Sequence, residues 1–180
     1  APTIEPTVLR EWLPRALYER EQAGQGAFLT EFRPTVALFM RLVGLDYDAN
    51  DAQMQLDSLI RQVQTTLARY DGHLLQLTIG DKGCYAYISF GVLNAHEDNA
   101  RRAVKTALEL HAAAATFPFL EPLQVGITQG VMRVGAYGGQ TRRTFGALGD
   151  DVNLAARLMT TASAGEILVS GHVHKAVTTH

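Results

Sequence analysis

An asparagine and an arginine four positions apart form the first candidate for chemistry in this chain. Asn153 and Arg157 lie in the segment VNLAARL, whose apolar residues follow helical spacing. Residues four apart on a helix share one face, so the two side chains project together. A guanidinium presents a planar set of donors that suits phosphate, and a neighbouring amide binds further oxygen atoms. The pair therefore predicts either a site for an oxygen-rich ligand or an ordinary solvated helix face.

Two further charged residues fall in or beside segments that predict strands. Asp81 lies in the tight turn GDKG, where a carboxylate can bind Mg²⁺ or simply stabilise the turn through local hydrogen bonds. Arg41 interrupts the nearly continuous apolar run of residues 34–44 near the end of the predicted strand, where an unpaired buried charge would be costly. Arg41 could reach Asp81 in a sheet of the kind predicted below. Alternatively, its side chain extends past the strand end into solvent.

The remaining polar groups leave several interpretations open. The loop GGQTRRT at residues 138–144 could handle an anion, form a partner surface or remain an exposed loop. The six histidines form no metal-ligand spacing, and the single cysteine, Cys84, lies in an apolar strand where we expect it to be buried. The sequence contains no nucleophile elbow, Walker loop or zinc-binding spacing.

The composition is that of an ordinary globular domain. The chain has 180 residues, of which 47% are hydrophobic and 19% charged, and a formal net charge of -2. This balance predicts no affinity for nucleic acid, and the apolar runs are too short to span a membrane. A lone cysteine fits a cytoplasmic protein. Because the chain does not begin with Met, we expect an excised domain of a longer protein.

Hydrophobic periodicity predicts the elements that position these residues. Helical spacing predicts an arm within residues 6–23 and helices over residues 51–70, 95–115 and 150–162. Apolar runs predict strands over residues 34–44, 73–79, 84–90, 123–128, 131–136 and 167–169. The order predicts an α+β, ferredoxin-like βαββαβ fold: an antiparallel sheet with helices on one face. We therefore divide the chain into an N-terminal helical arm or linker, residues 1–30, and a globular domain, residues 31–180.

Two segments resemble the signature of class III adenylyl and guanylyl cyclases. They are TFGALGDDVNLAARL at residues 144–158, and VGITQG at residues 125–130 with Gly135 and Gly138 after it. Within that family, FLTEFRP at residues 28–34 and DKGC at residues 81–84 resemble the second cyclase domain of soluble, bicarbonate-responsive adenylyl cyclases. The resemblance implies the class III nucleotidyl cyclase fold for residues 31–180. It also implies a further phosphate-binding lysine beyond residue 180.

The resemblance implies a function and a role for each matching residue. Class III cyclases convert ATP or GTP to the 3′,5′-cyclic nucleotide and pyrophosphate at the interface of two cyclase domains. Two aspartates of one domain hold Mg²⁺ or Mn²⁺, and an asparagine–arginine pair of the other contacts the reacting nucleotide. By this resemblance, Asn153 orients the ribose, Arg157 stabilises the transition state and Asp81 is the second metal ligand.

Other family positions differ in this chain. The first metal aspartate falls at position 41, where Arg41 would repel Mg²⁺ and could pair with Asp81. The family's base-reading lysine is replaced by Leu77, with Gln76 beside it, and the base-reading Asp or Cys by Gly146. We therefore expect this domain to bind no metal ion by itself.

Three interpretations are open at this point. The chain is a helper half that pairs with a second cyclase-homology domain, from the same polypeptide or as a homodimer, around a nucleoside triphosphate. Alternatively, it is a non-catalytic nucleotide- or anion-binding module for regulation or dimerisation. The third interpretation is an unrelated ferredoxin-like domain with a chance motif. A homodimer would place Arg41 at both sites, so we expect it to have negligible cyclase activity.

Overall fold

The computed structural model describes residues 8, 10, 12, 13, 15–23, 30–80, 83–139 and 143–179. The helices that lie wholly within these residues are α1 (Arg15–Gln22), α2 (Ala52–Tyr70), α3 (Asn99–Ala114), α4 (Asp150–Thr161) and α5 (Gly171–Thr178). The strands are β1 (Glu31–Leu42), β2 (Gly72–Gly80), β3 (Gly83–Phe90), β4 (Gln124–Gly138), β5 (Arg143–Leu148) and β6 (Ile167–Val169). Among the described helices, none is long and apolar enough to cross a membrane.

The described strands form one sheet with β1 at its centre. The order is β2-β3-β1-β4-β5, and β6 pairs with β4 in parallel, whereas the other neighbours are antiparallel. This arrangement confirms the predicted α+β, ferredoxin-like class. It places Arg41 of β1 between Tyr85 of β3 and Gln124 of β4.

Both faces of the sheet are covered, which corrects the expectation of helices on one face. Alternate residues of β1 point to opposite sides, so Val36 and Leu38 join one buried cluster with α2, α3 and α5. Ala37 and Phe39 join a second cluster with α4. The nearly continuous apolar run of β1 is the sequence signal for this, because a strand buried on both faces has no polar side.

Three local features differ from the predicted elements. Strand β4 runs without a break through Gln129 and Gly130, which pair with Val36 and Thr35 rather than forming a turn. Gly130 instead makes room for the carboxylate of Asp151, since a Cβ there would lie 1.7 Å from Asp151 Oδ2. Strand β5 and helix α5 were not predicted from the sequence.

The described part of the N-terminal region contains helix α1. Its Leu17 is buried in the second cluster, and Leu13 packs against the same cluster. This region therefore contacts the sheet face that also carries α4. The division of the chain at residue 30 remains a prediction. Cys84 is buried, as expected, with 1% of its surface exposed.

Candidate functional site

Helix α4 presents the predicted asparagine and arginine to solvent. Asn153 and Arg157 are both exposed, while Ala155 and Met159 of the same helix are buried in the second cluster. The helical spacing thus produces the shared exposed face that the sequence predicted. Because the opposite side of α4 is packed on the sheet, the backbone beneath the two polar side chains is held in place.

The first turn of α4 is tied to β4. The hydroxyl of Thr128 donates a hydrogen bond of 2.7 Å to the backbone oxygen of Asp151. Asp150 and Asp151 both lie in this turn, where carboxylates interact favourably with the positive end of the helix dipole. These contacts fix the start of the helix that carries Asn153 and Arg157.

Arg41 lies at the base of the turn that contains Asp81. Its Nη1 faces Gln124 Oε1 at 3.5 Å, and its Nε lies 3.6 Å from where a Cβ on Gly83 would be. Asp81 itself falls outside the described residues, so the Arg41–Asp81 ion pair remains a prediction. Arg41 is partly buried, and its Nε is a buried atom.

The described residues around position 41 do not fit a metal ion. The resemblance to class III cyclases assigns the first of two metal-binding aspartates to position 41, which holds the guanidinium of Arg41. Over residues 30–80, 83–139 and 143–179, no group of three or more His, Cys, Asp or Glu side chains could hold a metal. Because a guanidinium repels a cation, the described residues of this domain contribute no step through a bound metal ion.

The positions that match the family's base-reading residues lie far apart. Gln76 is exposed opposite Tyr87, and its Nε2 donates a 3.1 Å hydrogen bond to Thr78 Oγ1. A bulge between Leu74 and Gln76 turns Leu77 to the other face, where it packs against the first core cluster. Gly146 is buried in β5, at the opposite edge of the sheet. The structure does not bring these residues together within one chain.

Sequence reasoning missed a cavity between the sheet and α4. Its volume is about 450 Å³, and its described lining is Phe39, Arg41, Tyr85, Ala156, Met159 and Thr160. Phe39 also stacks on Tyr87, with ring centroids 4.6 Å apart. The alternating aromatics of the segment GCYAYISF were a signal of this aromatic face. Asn153 and Arg157 do not belong to the described lining.

The loop at residues 138–144, the remaining candidate from the sequence, is described only in part. Residues 140–142 of the glycine- and arginine-rich loop lie outside the described residues, so its anion-binding role remains a prediction. His172 and His174 are exposed on α5.

Known relatives cover most of this chain. Adenylate cyclase type 10 of Homo sapiens is 22% identical over 160 residues, which is 88% of this chain and 10% of that protein. The protein of the same name from Oryctolagus cuniculus is 23% identical over 163 residues, again 88% of this chain and 10% of that protein. The chain therefore spans about a tenth of the length of these curated relatives.

Solved structures of cyclase domains share the fold. The adenylyl cyclase CyaB from P. aeruginosa superimposes with a TM-score of 0.74 at 21% identity, covering 84% of this chain and 83% of that one. The guanylate cyclase domain of RhGC from Catenaria anguillulae, solved in complex with GTP, gives 0.70 at 22% identity, covering 81% and 82%. These likenesses confirm the fold that the class III resemblance implied.

The family match includes both Arg41 and the asparagine–arginine pair. A sequence model of the family described as "Adenylate and Guanylate cyclase catalytic domain" matches residues 41–180, which is more than half of the chain. The interpretation of this chain as an unrelated ferredoxin-like domain with a chance motif is therefore excluded. This chain belongs to the adenylate and guanylate cyclase catalytic domain family.

Proposed function

We propose that this chain is the half of a class III nucleotidyl cyclase core that supplies the asparagine–arginine pair. It works with a second cyclase-homology domain, which supplies both metal-binding aspartates. Together they convert ATP or GTP to the 3′,5′-cyclic nucleotide and pyrophosphate. The observation that carries the proposal is the exposure of Asn153 and Arg157 on one face of α4, combined with Arg41 at the metal position.

The chemistry assigned to this chain is binding, orientation and charge stabilisation. In the proposed reaction, the ribose 3′-hydroxyl attacks the α-phosphorus and pyrophosphate leaves. The amide of Asn153 binds a ribose oxygen and orients the nucleophile. The guanidinium of Arg157 stabilises the negative charge that develops on the phosphoryl oxygens, and donors placed in advance do this most effectively. The buried contacts of Ala155 and Met159 supply that prior placement.

The two-domain arrangement is supported by what one chain lacks. Arg41 occupies the position that the class III resemblance assigns to the first metal aspartate, so a partner domain has to supply the metal site. The RhGC guanylate cyclase domain was solved with GTP. A nucleoside triphosphate is accordingly the ligand that we propose at the interface of this chain with its partner.

Reconstitution tests the proposal. The chain is mixed with the cyclase domain that accompanies it in the full-length protein, and cyclic nucleotide is measured with Mg²⁺ or Mn²⁺. Arg157→Ala should reduce kcat by roughly a hundredfold to a thousandfold, as removal of one preorganised donor does. Arg61→Ala is the matched control, because Arg61 is exposed on α2 and pairs only with Asp57 among the contacts described for it. Unchanged activity in the Arg157 variant would refute the proposal.

A specific observation also favours a second candidate function. Arg41 replaces a metal ligand, and Leu77 faces the core instead of a nucleotide. Both changes suit a non-catalytic module that binds a nucleotide or anion and regulates a partner. Titration calorimetry with ATP, with and without the partner domain, separates the two functions. Binding without turnover supports the regulatory module, and turnover in the complex rules it out.

A further inference from the structure

The cavity beside Arg41 has the size and lining of a small-molecule site. Ligand pockets in proteins typically enclose about 300–1,000 Å³, with mostly apolar walls and a few convergent polar groups. This cavity has about 450 Å³. Phe39 and Met159 supply buried apolar walls, with 7% and 4% of their surfaces exposed. Arg41, Tyr85 and Thr160 are the lining residues with polar side chains, and the Thr160 hydroxyl donates a hydrogen bond to the backbone oxygen of Arg157.

The guanidinium of Arg41 has hydrogen-bond donors without a close acceptor among the described residues. Its Nε is buried and has no acceptor among the residues that the structure describes. Its Nη1 contact with Gln124 Oε1, at 3.5 Å, is long for a hydrogen bond. A buried donor without a partner costs free energy, and a charged donor costs more. The site therefore favours an acceptor with negative charge, and an incoming ligand would compete for it with Asp81, the predicted ion-pair partner of Arg41.

The described lining distinguishes between classes of anion. Arg41 is its one cationic side chain, and none of its described members is acidic. A single guanidinium neutralises one carboxylate, which it binds through two parallel hydrogen bonds. A small, fully hydrated anion would find no polar partners along the apolar walls of the cavity. A carboxylate attached to an apolar body satisfies both parts of the cavity.

We propose that this cavity binds an amphipathic monocarboxylate. The carboxylate pairs with Arg41, and the apolar body packs against Phe39 and Met159. The inference rests on the anion-binding alternative stated under the proposed function and names its ligand class; it requires no cyclase chemistry. Ala156 and Thr160 flank Arg157 on α4, so an occupied cavity braces the helix that carries the candidate catalytic pair.

Binding of phenylacetate to the 180-residue chain tests the proposal. Phenylacetamide is the neutral control of the same shape, and acetate lacks the apolar body. Titration calorimetry should show saturable binding of phenylacetate at least about tenfold tighter than binding of either control, a difference of about 1.4 kcal/mol. Inorganic phosphate should also bind more weakly. Equal affinity for phenylacetate and phenylacetamide, or tighter binding of phosphate, would overturn the proposal.

Variants locate the binding. Arg41→Gln should weaken phenylacetate binding at least about tenfold, whereas Arg61→Gln on the distant face of α2 should leave it unchanged. Ala156→Leu keeps the guanidinium but fills the cavity, so it should also abolish binding. Thermal unfolding confirms that each variant is folded. Wild-type affinity in both the Arg41 and Ala156 variants would refute the site.

The outcome is separable from that of the proposed function. Cyclase activity in the reconstituted complex depends on Arg157, and carboxylate binding is measured on this chain without a partner. If phenylacetate does not bind specifically but the reconstituted complex is active, only the assignment of the cavity is refuted. Specific phenylacetate binding together with an inactive complex supports the cavity and favours the regulatory function.

Discussion

Gly126 on β4 lies directly beneath the backbone of α4 at Ala155. A Cβ at position 126 would lie 2.2 Å from the carbonyl oxygen of Ala155 and 2.4 Å from the backbone nitrogen of Met159. No side chain fits that space, so the glycine sets the separation between strand and helix. Asn153 and Arg157 both lie two residues from this contact. The height of α4 above the sheet therefore determines where they project.

Substitution of Gly126 by Ala should damage both stability and chemistry. The added methyl group forces α4 away from the sheet, and such overpacking costs about 1–3 kcal/mol of the free energy of unfolding. A displacement of about 1 Å at a catalytic group can reduce the rate by about a hundredfold. Urea unfolding and cyclic nucleotide formation in the reconstituted complex measure the two effects.

Gly171→Ala is the matched control for this substitution, because nothing lies within 4 Å of a Cβ at that position. It should retain wild-type stability and activity. A Gly126→Ala protein that behaves like this control would show that α4 does not depend on the close approach.

Helices α2, α3 and α4 could be predicted because the burial of their side chains follows the helical period, and strand β1 could be predicted from its nearly continuous apolar run. Strand β5 could not. Its sequence, RTFGAL, contains few residues that favour strands, and its conformation depends on pairing with β4 from Arg133 to Gly138. Gly130 was misread as part of a turn because a close approach and a turn both require glycine. Which requirement applies depends on Asp151, a residue distant in sequence.

Prediction of the candidate site from the sequence has the same limit. Asn153 and Arg157 were predictable because their spacing on one helix is local information. The cavity beside Arg41 was not, because its walls come from β1, β3 and α4, whose lining residues are up to 121 positions apart, between Phe39 and Thr160. The bulge that turns Leu77 toward the core was equally invisible, since it arises from strand pairing.

The predicted ion pair between Arg41 and Asp81 can be measured by a double-mutant cycle. Gly83, two residues after Asp81, lies beside the Arg41 guanidinium, so the two charges are expected to be neighbours. With Arg41→Met and Asp81→Asn, the free energy of unfolding should show a coupling of about 0.5–3 kcal/mol, the range for residues in contact. Asp57→Asn paired with Arg41→Met is the control cycle. Coupling no larger than in the control would contradict the ion pair.

Partly buried His73 should make the folded state sensitive to mild acid. Burial lowers its pKa, although Asp71, 3.7 Å away, acts in the opposite direction. The folded pKa is then below the unfolded value of about 6.5, so the unfolded chain takes up the proton first as pH falls. This contribution is fully present above about pH 6.5 and is lost at lower pH. His73→Gln should reduce the loss of unfolding free energy between pH 7 and pH 5 in urea titrations.

The charged groups near His73 do not reverse the direction of this pH dependence. Burial raises the pKa of Asp71, but bonds with His96 and Asn94 outweigh it and leave that pKa lowered, so its contribution is lost only below about pH 4. His174→Gln, at an exposed position on α5, is the matched control. A His73→Gln protein with the wild-type pH slope would show that another group controls the transition.

Assembled with itself, this chain should have negligible cyclase activity with Mg²⁺ or Mn²⁺, because each site would present Arg41 to the metal. Arg41→Asp removes that repulsion and supplies a second carboxylate near Asp81. It should therefore gain Mn²⁺ binding, detected as loss of the free-ion signal in electron paramagnetic resonance. Arg41→Asn separates the two causes, since it removes the charge without adding a ligand. An equal gain in both variants would contradict a two-carboxylate site.

Cyclase activity should not be restored when Arg41→Asp restores metal binding. Leu77 packs into the first core cluster, and Gly146 has no side chain, so the purine lacks its family contacts in an Arg41→Asp homodimer. We expect its kcat/KM to remain at least about tenfold below that of the reconstituted complex, as loss of a specific contact predicts. The measurement is cyclic nucleotide formation at saturating Mn²⁺. Full activity would show that Arg41 alone separates this domain from a self-sufficient cyclase, and that its partner is dispensable for chemistry.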